Sequence, residues 1–231
     1  MPSRQSEAPE LIWLQPEHSG RGPRPAHSRS SIAEAAVRIA DSEGLDAVSM
    51  RKVAAELGAG TMSLYNYVPK KEHLFDLMVD QIAGEYELPA EPSGDWRADL
   101  TALATMQLAV LRRHSWAPRL IAARPSLGPN GLRYTEYFLG VMAATELTGS
   151  GKMEAMAQLN GFLCQFADWE HSTTGRSPRW ITDMVSYLQG VAATGQYPRL
   201  TQVLAEGPAP TAPDAVFDRL LQRILTALCE A

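Results

Sequence analysis

The sequence lacks the features that stabilise small secreted domains or anchor a chain in a membrane. Only two of its 231 residues are cysteines, Cys164 and Cys229, and neither has metal-ligand neighbours at the usual spacing. We expect both to be free thiols packed as small apolar groups. No run approaches the roughly 18 apolar residues of a membrane span, and the polar start lacks the apolar core of a secretory signal. These absences predict a cytoplasmic protein without membrane contacts.

Motifs of the common enzyme classes are also missing. The chain contains no G-x-S-x-G, P-loop, H-E-x-x-H or G-x-G-x-x-G pattern. Its five histidines are scattered, and no pair has metal-ligand spacing. We therefore expect no catalysis, no cofactor and no bound metal. Sustained alternation of apolar and polar residues is absent as well, which excludes a β-rich fold and predicts an all-α protein.

Charge of both signs is present but unevenly distributed. The chain carries 21 basic and 26 acidic residues, a net charge of −5. Residues 18–71 contain eight basic and five acidic side chains and carry +3, whereas from residue 73 onward 12 basic and 17 acidic side chains give −5. Such asymmetry favours a polyanionic partner for the N-terminal part, although ordinary surface variation also produces it.

Composition divides the chain into three parts. Residues 1–28 are rich in Pro, Ser, Gly and Arg and show no helical period, which predicts a flexible basic arm. An apolar cluster within it, Leu11–Leu14, is able to dock on the body or on a partner. A linker rich in Pro and Gly, Leu88–Gly94, separates a domain of residues 29–88 from a helical domain of residues 95–231.

Local signals predict four helices before the linker. The S-x-x-E pattern at 31–34 predicts the start of the first helix. Ser49 is a candidate N-cap for the second, and a Gly-Ala-Gly break at 58–60 separates it from a short third helix, Thr61–Tyr67. The fourth helix is predicted over Lys71–Glu85. Later helices are expected at about 96–114, 118–123, 131–148, 151–171, 178–194, 198–205 and 213–230.

The segment Ser49–Tyr67 has the arrangement of a helix-turn-helix. Val53 and Leu57, with Met62 or Leu64, are predicted to form its small core. The short second helix then presents groups suited to base edges and phosphates, namely Thr61, Ser63, Asn66 and Tyr67. An ordinary helical hairpin in a bundle is the alternative. The net basic charge favours DNA binding, as does an upstream arm able to enter a minor groove through Arg21, Arg24 and Arg29.

Residues 32 to about 86 resemble the DNA-binding domain of tetracycline-repressor-type (TetR family) transcription regulators. The resemblance rests on SIAEAAVRIADSEGLDAVSM, RKVAAELGAGTMSLYNYV and PKKEHLFDLMVD. It implies DNA contacts at Ser49, Arg51, Thr61, Met62, Ser63, Tyr65, Asn66, Tyr67 and Lys71. Asn66 stands where the tetracycline-repressor pattern has a larger aromatic residue, which bears on the operator sequence and not on binding itself.

The resemblance also implies an architecture. An N-terminal three-helix helix-turn-helix DNA-binding domain would precede a C-terminal helical ligand-binding and dimerisation domain, which looks closest to the tetracycline-repressor branch. A homodimer would bind double-stranded operator DNA. Apolar stripes on the helices near 151–171 and 213–230 suit a dimer seam, although core packing within one chain would explain them too.

A small-molecule effector in the C-terminal domain follows from the same resemblance. Large apolar side chains and a few polar anchors could line its pocket or simply fill the core: Leu103, Met106, Gln107, His114, Trp116, Phe138, Met142, Asn160, Phe162, Gln165 and Trp169. The function expected is that of a homodimeric repressor released from its operator by a ligand. The alternative is a DNA-binding regulator without an effector, controlled by a protein partner or by abundance.

Overall fold

The computed structural model describes residues 10–17, 27–124, 126–174, 177–207 and 212–228. Within these ranges it contains eleven α-helices, three short 3₁₀ helices and no strand, which confirms the all-α prediction. The chain forms two compact units, residues 1–167 and 168–231. Arg21, Arg24 and Cys229, to which the sequence assigned roles, lie outside the described residues.

The helices fall into groups along the chain. Four precede the predicted linker: α1 (Arg29–Glu43), α2 (Met50–Glu56), α3 (Thr61–Leu64) and α4 (Lys71–Ala83). Four follow it: α5 (Trp96–Arg113), α6 (Ala117–Ala123), α7 (Pro129–Val141) and α8 (Gly149–Thr174). The last three are α9 (Pro178–Ala193), α10 (Pro198–Glu206) and α11 (Pro213–Ala227). The 3₁₀ helices span Ile12–Leu14, Leu45–Ala47 and Met142–Ala144.

Helix α1 begins three residues earlier than the S-x-x-E pattern predicted. Ser28 is the N-cap, and its Oγ accepts from the backbone N–H of Ser31 at 3.1 Å. The Ser31 hydroxyl in turn accepts from the Ser28 N–H at 3.0 Å. Ser31 thus occupies the third position of the helix, and its hydroxyl accepts from the backbone N–H of the N-cap residue. This is the role that we expected of Glu34. Glu34 accepts from the Ser30 hydroxyl instead.

The turn between α2 and α3 closes over a small apolar core. Val53, Ala54 and Leu64 are almost fully buried, whereas the Met62 side chain is 77 % exposed. Leu64 rather than Met62 therefore completes the core. Gly58 has a φ of 62°, the left-handed region in which a glycine carries no steric penalty, and permits the chain to reverse. Helix α3 ends at Leu64, so residues 65–67 form a turn rather than the predicted last helical turn.

Helices α4 and α7 are joined through one buried carboxylate. Asp80 Oδ1 accepts from the backbone N–H groups of Asn130 and Gly131, both at 3.0 Å. These donors belong to the first turn of α7, where a negative charge also meets the positive end of the helix dipole. Burial raises the pKa of Asp80, against the lowering effect of these N–H groups. A Cβ at Gly128 would lie 2.2 Å from Asp80 Oδ1, so only glycine fits beside this junction.

The single helix predicted over residues 131–148 is wrong. Helix α7 ends at Val141 and a 3₁₀ turn follows, after which Thr145 adopts an extended conformation. The Thr145 hydroxyl donates to the Met142 carbonyl at 2.8 Å and so satisfies an acceptor that a continuing helix would have used. Helix α8 starts only at Gly149 and runs to Thr174, further than the predicted end at 171.

Helices α9, α10 and α11 lie entirely within the second unit. Helices α9 and α10 bury none of their residues in the single chain. Their exposed apolar side chains include Trp180, Ile181, Val185, Tyr187, Leu200 and Val203. Helix α11 differs, because Phe217, Leu221 and Leu225 are buried. Part of its apolar stripe is therefore core of the single chain, as the alternative interpretation held.

The described part of the chain shows neither a membrane span nor a cluster of metal ligands. None of its helices is long and apolar enough to cross a membrane. No group of three or more His, Cys, Asp or Glu side chains there is arranged to hold a metal ion. Cys164 is a free, buried thiol, as predicted, and burial raises its pKa to about 11.

Candidate functional site

The predicted DNA-contacting residues of α2 lie at its N-terminus. Ser49 is the N-cap, and its hydroxyl accepts from the backbone N–H of Lys52 at 3.3 Å. The Ser49 side chain is therefore held in place and half-buried, while the side chain of Arg51 is exposed. An N-cap serine followed by an exposed arginine places a hydroxyl, backbone N–H groups and a cation at one helix end, where a phosphate can bind.

The predicted recognition segment, residues 61–67, presents most of its side chains to solvent. Met62 is 77 % exposed and Tyr65 is 41 % exposed. Ser63 and Asn66 are exposed, and Thr61 and Tyr67 are half-buried. Only Leu64 is buried, and it holds the segment against the core. A short segment with one inward anchor and several outward polar groups has the form of a DNA-reading element.

Several cations near this segment are already paired within the chain. Lys52 pairs with Glu43, and Arg38 lies 3.4 Å from Glu56. Lys71 at the start of α4 is exposed, with its ammonium 5.2 Å from the centre of the Phe75 ring. Intramolecular pairs thus neutralise part of the basic excess seen in the sequence. Arg51 and Lys71 are exposed cations beside the recognition segment, and both were predicted from the sequence.

Arg29 occupies a different place from the one that the sequence suggested. Its guanidinium points into the chain, where Nη1 donates to the carbonyl oxygens of Ile12 (3.2 Å) and Gln15 (2.9 Å). Nη2 donates to the Pro16 carbonyl at 3.1 Å, and Nε donates to the Tyr67 carbonyl at 3.1 Å. A guanidinium committed to four main-chain carbonyls is not available to a minor groove, so the expectation for Arg29 is corrected.

His114, expected as a ligand anchor, is instead bonded to two carboxylates. Its Nδ1 lies 2.8 Å from Asp41 Oδ1, and its Nε2 lies 3.0 Å from Glu85 Oε1. The His114 ring is thus held between two carboxylate groups, which accept hydrogen bonds and do not donate them. Trp116 is committed in the same way, because its Nε1 donates to Asp41 Oδ1 at 2.7 Å. This His114 cluster joins the end of α1 and the residues after α4 to the turn between α5 and α6.

The electrostatics of the His114 cluster favour the ionised form of Glu85. Burial raises the pKa of Glu85, but the hydrogen bonds from Arg113 and His114 outweigh it and hold that pKa below its ordinary value. Arg113 Nη2 lies 2.5 Å from Glu85 Oε2. His114 is buried while Asp41 and Glu85 are each about one-third exposed, so the cluster is only partly screened by solvent.

The two predicted polar anchors Gln107 and Asn160 do meet, and a third residue joins them. Gln107 Nε2 donates to Asn160 Oδ1 at 3.0 Å. The Tyr134 hydroxyl lies 3.0 Å from Gln107 Oε1 and 3.1 Å from Asn160 Oδ1. This amide–phenol cluster links α5, α7 and α8, and burial raises the pKa of Tyr134. The predictions missed Tyr134, although its position one helical turn before Phe138 was a usable signal.

The other predicted pocket residues divide by exposure. Leu103, Phe138 and Met142 are buried, as the core interpretation required. Met106 and Phe162 are half-buried, while Gln165 and Trp169 are exposed. A cavity of about 290 Å³ lies elsewhere, and its lining includes Glu10 and Trp13, His73 at the start of α4, and Arg124 and Leu127. None of the predicted pocket residues lines this cavity.

Comparison with known proteins identifies the class. Residues 32–78, which contain most of α1, all of α2 and α3, and the first part of α4, match the model of "Bacterial regulatory proteins, tetR family". Residues 88–230 match "Tetracyclin repressor-like, C-terminal domain". An all-helical body with this helix-turn-helix defines a DNA-binding transcription regulator. The chain belongs to the TetR family, whose members are DNA-binding regulators and not enzymes, and this confirms the expected absence of catalysis.

Individual relatives agree with this assignment. The HTH-type transcriptional repressor DrrR1 of Streptomyces coeruleorubidus is 38 % identical over 95 % of this chain and 83 % of its own. The crystal structure of apo ActR from Streptomyces coelicolor is 28 % identical, with a TM-score of 0.77, over 90 % of this chain and 97 % of ActR. ActR in complex with actinorhodin is 27 % identical, with a TM-score of 0.78, over 89 % and 97 %.

We expect His114→Phe to destabilise the fold because it keeps an aromatic ring but removes both ring nitrogens that contact Asp41 and Glu85. The free energy of unfolding should fall by about 2 kcal/mol, the scale of hydrogen bonds to charged groups. Glu85 has a lowered pKa, so its contribution is present above the ordinary value of 4.5 and is lost as the pH falls below it. The difference from the wild type should therefore shrink between pH 6 and pH 3 in urea titrations.

The matched control for this variant is His171→Phe, since His171 is exposed in the last turn of α8. It should change the free energy of unfolding by less than about 0.5 kcal/mol. Equal effects of the two substitutions would contradict the structural role of the His114 cluster.

Proposed function

We propose that the protein is a cytoplasmic homodimeric repressor that binds operator DNA through α2 and α3 and is released by a small molecule. The observation that carries the DNA-binding part is the exposed segment 61–67, held by the buried Leu64 and bordered by the exposed cations Arg51 and Lys71. Such a surface combines cations for phosphates with short polar groups for base edges.

The two kinds of contact have separate roles. Ser49, Arg51, Tyr65 and Lys71 would bind phosphates and orient the protein, since a hydroxyl, a phenol and two cations suit phosphate oxygens. Thr61, Met62, Ser63, Asn66 and Tyr67 would face the major groove. The Asn66 amide offers both a donor and an acceptor, which matches the major-groove edge of adenine.

Substitutions at Lys71 and Asn66 test this division. Lys71→Ala should weaken binding to operator and to random duplex alike by roughly tenfold, or about 1.4 kcal/mol. It should also reduce the slope of log K against log salt concentration by about 1. Asn66→Ala should cost about 1–3 kcal/mol on the operator alone, because it removes base contacts. Fluorescence anisotropy with a site selected from random duplexes measures both.

Arg199→Ala, an exposed cation on α10, is the matched charge control and should leave both affinities unchanged. If the wild type selects no sequence and binds all duplexes equally, the proposed operator binding fails. If Asn66→Ala weakens random duplex as strongly as operator, the assignment of base contacts to α3 fails.

Dimerisation through α8 and α11 is supported by the apolar surface that remains on α11. Phe217, Leu221 and Leu225 are buried within one chain, but Val216 and Leu220 are only half-buried. A symmetric pair of such helices would bury the remainder and place two recognition segments on successive major grooves.

We expect Leu220→Glu to convert a dimer into a monomer, because it places a charge in an apolar seam. Light scattering coupled to gel filtration should give twice the chain mass for the wild type and the single mass for the variant. Circular dichroism should remain helical, and operator affinity should fall. Arg223→Gln, exposed on the same helix, should remain dimeric. A dimeric Leu220→Glu variant would place the interface elsewhere.

A small-molecule effector is supported by the relatives and by the interior of the regulatory helices. ActR, which shares this fold over nearly its whole length, has been solved with actinorhodin and with (S)-DNPA. In the present chain the amide–phenol cluster of Gln107, Tyr134 and Asn160 offers buried polar groups among aromatic rings, with the Tyr86 and Tyr134 rings 5.4 Å apart. A ligand carrying aromatic rings and hydroxyl groups suits that chemistry.

Actinorhodin is the probe for this part of the proposal. It should release labelled operator from the wild type and lower operator affinity about 10- to 100-fold, within the usual range of allosteric coupling. Tyr134→Phe should weaken the response to actinorhodin while leaving operator affinity without ligand unchanged, and Tyr137→Phe on the same helix is the control. Quenching of tryptophan fluorescence reports binding independently of DNA.

The second candidate is a regulator without an effector, controlled by a protein partner or by abundance. The closed hydrogen bonding of the amide–phenol cluster and the burial of Leu103, Phe138 and Met142 favour it. If operator binding is unchanged by actinorhodin and by a panel of hydroxylated polycyclic aromatics, the result supports this second candidate.

A further inference from the structure

Residues 10–17, which the sequence predicted as part of a flexible arm with an apolar cluster able to dock, form a segment held against the body, and we refer to it as the N-terminal strap. Its centre is the 3₁₀ helix Ile12–Leu14, and the Ile12 side chain is completely buried. The backbone N–H of Gln15 donates to the Ile12 carbonyl at 3.1 Å. The strap therefore has local structure and an apolar anchor.

The strap is fastened to α1 by Arg29. The guanidinium binds three strap carbonyls, those of Ile12, Gln15 and Pro16, at 2.9–3.2 Å. Gln15 and Pro16 follow the end of the 3₁₀ helix, so the guanidinium binds its C-terminal end, while the Ile12 carbonyl also accepts from the Gln15 N–H within the helix. The backbone N–H of Arg29 also donates to Glu17 Oε1 at 2.8 Å.

The same guanidinium reaches the end of the recognition segment. Its Nε donates to the Tyr67 carbonyl at 3.1 Å, across 38 residues of sequence. On the other side of the turn, the Glu10 carboxylate lies 2.9 Å from Lys70 Nζ and the Glu10 carbonyl lies 2.9 Å from His73 Nε2. The strap thus holds the turn between α3 and α4 from both sides.

The strap also contacts the start of α7. A Cβ at Gly128 would lie 2.6 Å from Trp13 Cζ2, so the indole packs directly on that backbone. Asp80 of α4 lies against the same glycine. One short segment therefore touches α1, the α3–α4 turn and the N-terminus of α7.

We propose that Arg29 and the N-terminal strap position the recognition segment for sequence-specific DNA binding, without Arg29 touching DNA. This rests on the proposed function, since it concerns the same DNA-reading surface. Helix α3 is a single turn that cannot hold its own position, and Leu64 is its one buried side chain. The Arg29–Tyr67 bond supplies a second fixed point at the end of that segment. Arginine suits this task because its planar fork spans several carbonyls that a single ammonium cannot reach together.

Three substitutions on the full chain test the proposal, with affinity measured for the selected operator and for random duplex. Arg29→Ala should weaken operator binding about tenfold, comparable to one mismatched base pair. Random-duplex affinity and its salt slope should stay unchanged, because no phosphate contact is lost. Arg29→Lys should behave like Arg29→Ala, since it keeps the charge but not the fork. Arg38→Ala, which removes an exposed pair on the same helix, is the control.

Ile12→Ala provides an independent variant that leaves Arg29 intact and loosens the strap through its buried anchor. It should also reduce operator affinity and leave random-duplex affinity unchanged, and it keeps the test decisive if Arg29→Ala does not fold. Thermal unfolding in parallel shows that each variant is folded at the assay temperature.

The outcomes separate the possibilities. Arg29→Ala could instead lose affinity for both duplexes, with a salt slope reduced by about 1, while Arg29→Lys keeps the wild-type affinity. That result would mean that Arg29 binds phosphate directly, and it would overturn the proposal. Unchanged operator affinity in both Arg29→Ala and Ile12→Ala would overturn it as well. A wild type that shows no preference for any operator would instead refute the proposed function on which it rests.

Discussion

The DNA-reading surface depends on how a recognition helix of one turn is held in place. Helix α3 has four residues, far fewer than an isolated helix needs for stability in water. Its position therefore comes from neighbours: Leu64 and Val68 are fully buried beneath it, and Arg29 binds the Tyr67 carbonyl at its end. Because such a segment is fixed by few contacts, each contact has a large influence on the geometry that the DNA meets. In the proposed mode of DNA binding, the exposed polar side chains would supply recognition only while these anchors hold.

Helix α4 connects that surface to the regulatory helices through contacts near its start, in its last turns and just beyond its end. Near its start, His73 binds the strap. In its last turns Asp80 caps α7, and just beyond it Glu85 binds His114. These contacts are polar and directional, so a shift of α4 would have to break or exchange particular bonds. Contacts of this kind would restrict α4 to discrete positions, as the ligand-released repressor proposed above requires.

Local features of the fold could be predicted from the sequence, and long-range polar contacts could not. The Gly58 turn, the buried face of α4 and the exposed residues of α3 follow from periodicity and from glycine chemistry within a few residues. The hydrogen-bond partners of the Arg29 guanidinium lie 13 to 38 residues away and those of the His114 ring lie 29 and 73 residues away, and no spacing rule relates them. An arginine in a basic arm and a histidine among aromatics therefore suggested DNA and ligand contacts, whereas tertiary packing gave both side chains internal partners. The 131–148 error has a different origin, because the Thr145 hydroxyl bonds to the Met142 carbonyl only three residues away, a local contact that the apolar pattern does not reveal.

The polar contacts of the interior also constrain how an effector could act. A ligand that enters near Gln107, Tyr134 and Asn160 must replace hydrogen bonds that are already made, so only its surplus over those bonds contributes to binding. To release DNA it must also bind more tightly when α7 has moved, since equal affinity for both states shifts nothing. Tyr134 lies on α7, whose first turn is bonded to Asp80 of α4 and packed against Trp13 of the strap. A ligand that displaces the Tyr134 hydroxyl would therefore act on α7, the helix that contacts both α4 and the strap. The free energy of coupling between ligand and DNA binding would depend on how much the contacts of α7 with Asp80 and Trp13 change.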